Sequence, residues 1–130
     1  MYYVGLGVPK DRREAARWHR LAAERGSARG QVDIGMSYIE GDGVPRDENE
    51  GLRWIRLAAD RDKALGQHAL GYLYHIGKGV ATDYEAAVRW YRLAAQQDEG
   101  LAQCILPEMY ATGLGVRKDD QEAAKWARLC

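Results

Sequence analysis

The chain has 130 residues, the size of one ordinary domain, and its 19 Lys and Arg balance its 19 Asp and Glu. That zero formal charge argues against a dedicated nucleic-acid binder, which carries a basic excess. With 46% hydrophobic and 29% charged residues the chain is globular rather than disordered, its two cysteines do not make a disulfide scaffold, and no run of about 18 apolar residues offers a membrane span.

The composition is uneven, with 15 Gly against 3 Pro, and 4 Trp with no Phe. Internal repetition accounts for it. Trp18, Trp54, Trp90 and Trp126 are each 36 residues apart. The same step links Tyr2, Tyr38, Tyr74 and Tyr110; Gly5, Gly41, Gly77 and Gly113; and Gly7, Gly43, Gly79 and Gly115. It also links Val8, Val44, Val80 and Val116, and Asp11, Asp47, Asp83 and Asp119. A unit of this length fits two helices and two turns.

The elements follow in chain order. Residues 2–7 are the tail of a first-type helix, A, and residues 11–25 form a second-type helix, B. Helix A returns complete from about Ser27 to Glu40, where Ser27, Gln31, Ile34 and Tyr38 share one helical face. Gly35 and Gly71 beside that face cost helix propensity, which close approach of a neighbouring helix offsets. The Gly-x-Gly-Val element ends helix A, since glycine supplies the φ > 0 that stops a helix, and the Val plugs the gap between helices. Asp11, Asp47, Asp83 and Asp119 are then N-caps, with Glu14, Glu50 and Glu122 reaching back to close a capping box. Small Ala15, Gly51, Ala87 and Ala123 let helix B approach its neighbour, and the Trp one turn later fills space between repeats. The order predicted is B, A-B, A-B, A-B, seven helices. In the third full helix A, Pro107 replaces the glycine of Gly35 and Gly71 and predicts a kink beside Ile105 and Glu108.

The candidate binding surface is the side of helix A opposite its core face. It reads Arg29, Asp33, Met36 and Glu40, then Leu65, Ala69, Tyr72 and Ile76, then Leu101, Ile105, Glu108 and Thr112. These positions vary while the repeat-defining ones stay fixed, and Leu65, Tyr72, Ile76, Leu101 and Ile105 would form an apolar patch across two repeats. Packing against neighbouring helices is the competing expectation.

Other chemistry fares worse. Gly-x-Gly lacks the preceding strand and third glycine of a dinucleotide fingerprint. The basic registers of helix B, Arg17 and Arg20 with their copies, sit beside acids at helical spacing: Glu50 to Arg53, Glu85 to Arg89, Arg20 to Glu24, Arg56 to Asp60. They read as a salt-bridged face. His68, His75 and Cys104 are too few and too scattered for zinc, so neither metal nor cofactor is expected.

The unit resembles the Sel1-like repeat, a relative of tetratricopeptide α-solenoids. The carrying residues are clearest in the middle copy: Gln67, Leu70-Gly71, Tyr74, Gly77-Lys-Gly79-Val80, Asp83, Ala87, Trp90 and Leu93-Ala94-Ala95. The resemblance covers essentially the whole chain, as one array with a partial copy at 1–26, copies at 27–62 and 63–98, and an incomplete copy at 99–130. It implies an all-α, right-handed solenoid and an adaptor, usually bacterial, that holds a protein or peptide on the concave helix-A face. The site residues implied are Arg29, Asp33, Met36, Leu65, Ala69, Tyr72, Ile76, Leu101, Ile105 and Glu108. Neither nucleic acid nor membrane insertion is expected, while exposed repeat ends could self-associate or belong to a longer array. No signal peptide is visible, so the expectation is cytoplasmic for a complete chain, and periplasmic or secreted for a fragment.

Some secreted relatives are linked to penicillin binding or β-lactamase-like activity, the alternative function. A serine acyl-enzyme wants Ser-x-x-Lys, whereas Ser27 precedes Ala-Arg-Gly and Ser37 precedes Tyr-Ile-Glu, so no catalytic residue is assigned. Secreted relatives also carry a cysteine pair in each repeat. Cys104 and Cys130 lie on the two helices of one repeat but off those positions, so free thiols are the expectation and a disulfide the alternative.

Overall fold

The computed structural model describes residues 8–61 and 63–130, with side chains from Asp11 onward. The helix-A tail expected at residues 2–7, with Tyr2, Gly5 and Gly7, lies outside the described residues, as does the Val8 side chain. The described residues form seven helices and no strand: α1 (Val8–Glu24), α2 (Ala28–Glu40), α3 (Glu48–Asp60), α4 (Ala64–Ile76), α5 (Tyr84–Ala95), α6 (Gly100–Thr112) and α7 (Asp120–Leu129). The expected order holds, with α2, α4 and α6 as helices A and α1, α3, α5 and α7 as helices B. Each helix packs on the next, and α2 also touches α4.

The helix ends follow the sequence signals, with two differences. Ser27 accepts from the Gly30 N–H, and Asp47, Asp83 and Asp119 accept from the N–H groups of Glu50, Ala86 and Glu122. Gly41, Gly77 and Gly113 close α2, α4 and α6 in the left-handed conformation. At the first copy, however, α1 starts at Val8, so Asp11 lies inside its first turn and is not the N-cap. The reciprocal half of the capping box is also replaced. The Asp47, Asp83 and Asp119 N–H groups donate to the carbonyls of Tyr38, Tyr74 and Tyr110. Each donor is thus satisfied by the preceding helix A, and Glu50 is freed to pair with Arg53 at 2.7 Å and Arg20 at 3.9 Å.

Close approach explains the glycines inside the helices. A Cβ on Gly35 would come within 2.6 Å of Ile55 and 2.8 Å of the Gly51 carbonyl, and one on Gly71 within 2.9 Å of Tyr91. Helices A and B therefore touch nearly backbone to backbone, and Ile55 and Tyr91 are fully buried. In the last repeat the sizes reverse. Pro107 takes the glycine register and Ala127 that of Ile55 and Tyr91. Helix α6 runs through Pro107 to Thr112.

The core is continuous along the array because each repeat reaches back to the one before it. Val44 and Trp54 pack on Ala16, Ala23 and Ile34. Val80 and Trp90 pack on the cluster of Val32, Ile39, Ile55 and Ala58, and Val116 and Trp126 on that of Val88, Tyr91 and Ala94. Tyr74 contacts both of the larger clusters. The repeated glutamines are buried clamps on the turn joining helix B to the next helix A. Gln31 donates to the Ala23 carbonyl at 3.3 Å and Gln103 to the Ala95 carbonyl at 3.1 Å, while Gln67 accepts from Gln97 at 2.7 Å. A buried polar side chain is tolerated because its hydrogen bond is made.

The cysteines depart from expectation. Cys104 on α6 and Cys130 at the end of α7 form a disulfide, with their Cα atoms 4.7 Å apart. Antiparallel packing brings the early part of one helix beside the end of the next, a proximity that a 26-residue separation conceals.

Candidate functional site

The helix-A surface is assembled from side chains on α2, α4 and α6. Tyr72 is 42% exposed, Ile76 45% and Leu101 62%. Met36, Leu65 and Ile105 are half-buried: Met36 and Leu65 pack on the cluster around Val32 and Ile39, and Ile105 on the cluster around Tyr91 and Leu106. They fill the joints between helices and leave Tyr72, Ile76 and Leu101 standing clear. Ala69 is buried in the core. Glu108 is exposed, one turn before Thr112, whose hydroxyl donates to its carbonyl.

The α2 end of this surface is polar. Asp33 lies 3.4 Å from Arg29 and 3.6 Å from the His19 ring, and Glu40 pairs with Lys78 of the next repeat at 3.2 Å. The α4–α6 end is apolar and aromatic. The His75 ring nitrogen Nδ1 lies 3.1 Å from the Tyr91 hydroxyl, and its ring meets Tyr84 edge-on with centroids 6.0 Å apart. Burial, followed by the neighbouring Tyr72 and Glu99, pushes the Tyr91 hydroxyl well above the ordinary tyrosine range. Partial burial lowers the pKa of His68, opposed by the nearby Glu99 carboxylate. Both shifts follow from desolvation of the charged form.

The helix-B side has a different texture. Leu21, Leu57, Leu93 and Leu129 are 38–54% exposed. Shallow hollows lie along it, one lined by Arg53, Trp54, Arg56, Leu57 and Asp60 and another by Arg89, Arg92, Leu93 and Gln96. Sequence reasoning passed over these leucines because they belong to the repeat pattern. Of the ion pairs expected here, Glu50–Arg53 and Arg20–Glu24 form. Arg56 instead donates to the Tyr74 hydroxyl at 3.0 Å. Among the described residues no group of three His, Cys, Asp or Glu side chains could hold a metal ion, and no helix is long and apolar enough to cross a membrane.

Comparison with known proteins follows the same lines. No curated protein sequence matches. A solved protective antigen of uropathogenic Escherichia coli, displaying an SLR fold, is 40% identical with a TM-score of 0.82, over 96% of this chain and 27% of its own. A Sel1 repeat protein from Oxalobacter formigenes is 34% identical with a TM-score of 0.80, over 92% of this chain and 49% of its own. This chain thus spans about a quarter and about half of those two proteins. Helicobacter pylori cysteine rich protein B shares the fold at 24% identity, with a TM-score of 0.71 over 96% of this chain and 92% of its own. The Sel1 repeat pattern itself matches residues 1–27, 28–63, 64–99 and 100–129. With four copies in unbroken succession, the chain belongs to the Sel1 repeat family.

Proposed function

We propose that this chain binds a protein or peptide segment on its helix-A face, with apolar side chains of the ligand seated on Tyr72, Ile76 and Leu101. Sel1 repeat proteins are generally scaffolds for protein interaction. The observation that carries the finer reading is the exposure of three large apolar side chains on adjacent helices A, at positions that differ between repeats. The recurring residues, with Met36, Leu65 and Ile105, already fill the joints between helices, so packing within the chain does not require Tyr72, Ile76 or Leu101. Exposed apolar patches mark interaction sites, and Tyr72 and Ile76 stand one turn apart on α4. The polar α2 end, with Arg29 and Asp33, then sets register and orientation. In this reading Met36, Leu65 and Ile105 form the floor, and Ala69 supports it from beneath.

The test is selection of peptides from a displayed random library on the intact chain, followed by titration calorimetry. Tyr72→Ala and Leu101→Ala are each expected to weaken binding about tenfold or more, as central apolar anchors do, with helicity unchanged. Equal affinity for wild type and both variants would remove this face from the account. A β-lactamase-like activity has no supporting arrangement of side chains on this surface.

A further inference from the structure

Charge is distributed unevenly over the helix-A face. Apart from the two histidines of α4, helices α4 and α6 contain no Lys, Arg or Asp, and Glu108 is their one Glu. Every other carboxylate bordering the face is engaged. Asp33 lies beside Arg29 and the His19 ring, and Glu40 beside Lys78. Glu99 caps α6 by accepting from the Ala102 N–H at 2.8 Å. Glu108 is exposed, and among the described residues its carboxylate has no ion-pair partner.

The setting of this carboxylate is unusual as well. Glu108 follows Tyr72 by 36 residues, so the two hold the same register on successive helices A. The interval between those helices is wide. Helix α2 packs directly on α4, whereas α4 and α6 make almost no backbone contact. Tyr91 takes the place that Ile55 has one repeat earlier. It meets Gly71 and His75 of α4 and shares a buried cluster with Leu106 and Met109 of α6. Its larger ring holds the two helices farther apart. Tyr72 and Ile76 stand on the α4 side of this interval, and Leu101 and Glu108 on the α6 side.

We propose that the segment held on the helix-A face is a cationic-apolar peptide, with a Lys or Arg paired to Glu108 and large apolar side chains on Tyr72, Ile76 and Leu101. This rests on the helix-A reading above and adds the chemistry of the partner. A single uncompensated carboxylate in an otherwise apolar surface selects by charge, because an acidic segment laid on the same anchors is repelled. The Tyr72 ring beside it adds a second attraction for a cation through its negative face.

The test is selection from a displayed random peptide library on the intact chain and, in parallel, on Glu108→Lys, with the affinities of synthesised winners measured by calorimetry. Winners on wild type are expected to carry a Lys or Arg at a fixed spacing from two large apolar residues. On Glu108→Lys that position is expected to become Asp or Glu. For a wild-type winner, Glu108→Gln should weaken binding about fivefold, by less as salt is raised, with helicity unchanged. Charge exchange is the decisive arm: the winner with its basic residue replaced by Glu should lose affinity for wild type and recover it on Glu108→Lys. Winners without a basic residue, or equal affinity for wild type and Glu108→Gln, overturn the cationic partner. If Tyr72→Ala and Leu101→Ala still weaken those winners, the helix-A face stands without it. Winners indifferent to all three substitutions remove both the face and the inference.

Discussion

The second glycine of each Gly-x-Gly element has a fixed backbone but an unequal neighbourhood, and this allows conformational and steric costs to be separated. Gly79 and Gly115 have φ of +78° and +77°. A Cβ on Gly79 would find nothing closer than the Ile39 Cδ1 atom at 3.6 Å, an ordinary contact. A Cβ on Gly115 would overlap the Tyr84 carbonyl oxygen and lie 2.9 Å from the Tyr84 Cβ. Gly79→Ala should therefore cost only the left-handed backbone penalty, about 1 kcal/mol. Gly115→Ala adds an overlap with backbone that no rotamer change relieves, roughly 1–3 kcal/mol more. For 130 residues the unfolding entropy is about 270 cal/mol/K, so 1 kcal/mol lowers the melting midpoint by about 4 °C. The expected losses are about 4 °C for Gly79→Ala and about 7–15 °C for Gly115→Ala. Thermal melts by circular dichroism, with urea titrations as a second measure, provide the comparison. Equal losses, or a larger loss at Gly79, would refute the claim that this glycine is needed for the approach of one repeat to the next.

Three further outcomes follow from the packing and the charges. Reduction, or Cys130→Ser, opens a loop of 26 residues' separation and should cost up to about 3.5 kcal/mol. Mass spectrometry should find the untreated chain two hydrogens lighter than the reduced one, and reductant should lower the midpoint of wild type but not of Cys130→Ser. Gln103→Leu removes one of the two hydrogen bonds to the Ala95 carbonyl, which keeps the Asp98 N–H at 3.0 Å, at a cost of about 0.5–1.5 kcal/mol, and hydrogen exchange should speed first at the α5–α6 turn. His68 should titrate below 6.5, and Glu99→Gln should lower its pKa further, both readable by NMR. Because the folded pKa is depressed, the unfolded chain binds the proton more readily. The stability contributed by neutral His68 is present above pH 6.5 and is lost as the pH falls through that value toward the folded pKa. A His68→Gln variant should show a shallower loss of stability over the same range.

The repeat was legible because its requirements are local. A helix stop, an Asp cap and an indole spacer each demand one residue type at one place, and four copies multiply the signal. What escaped was decided by partners distant in sequence. The Glu50 side chain was expected to return to its own cap, yet the Tyr38 carbonyl had already taken that N–H. Cys104 and Cys130 meet because α6 and α7 run antiparallel, which cysteine spacing alone does not reveal. On the surface, periodicity placed Arg29, Leu65, Ala69 and Tyr72 on one side of helix A. It could not show that Ala69 is closed off by the neighbouring repeat while Tyr72 stands clear, since that depends on the tilt between helices. The exposed leucines of helix B were passed over because a residue repeated in every copy reads as core, although periodicity alone does not say whether a recurring position faces a neighbouring helix or solvent.

The central claim is that ligand recognition belongs to the helix-A face. The most direct measurement is amide chemical-shift mapping by NMR as a library-selected peptide is added to the isotope-labelled chain. The account predicts that the largest perturbations gather on α4 and α6 around Tyr72, Ile76 and Leu101, fading toward Arg29 on α2. Perturbations concentrated on α1, α3 and α5 around Leu21, Leu57 and Leu93 would contradict it and move the binding site to the helix-B side.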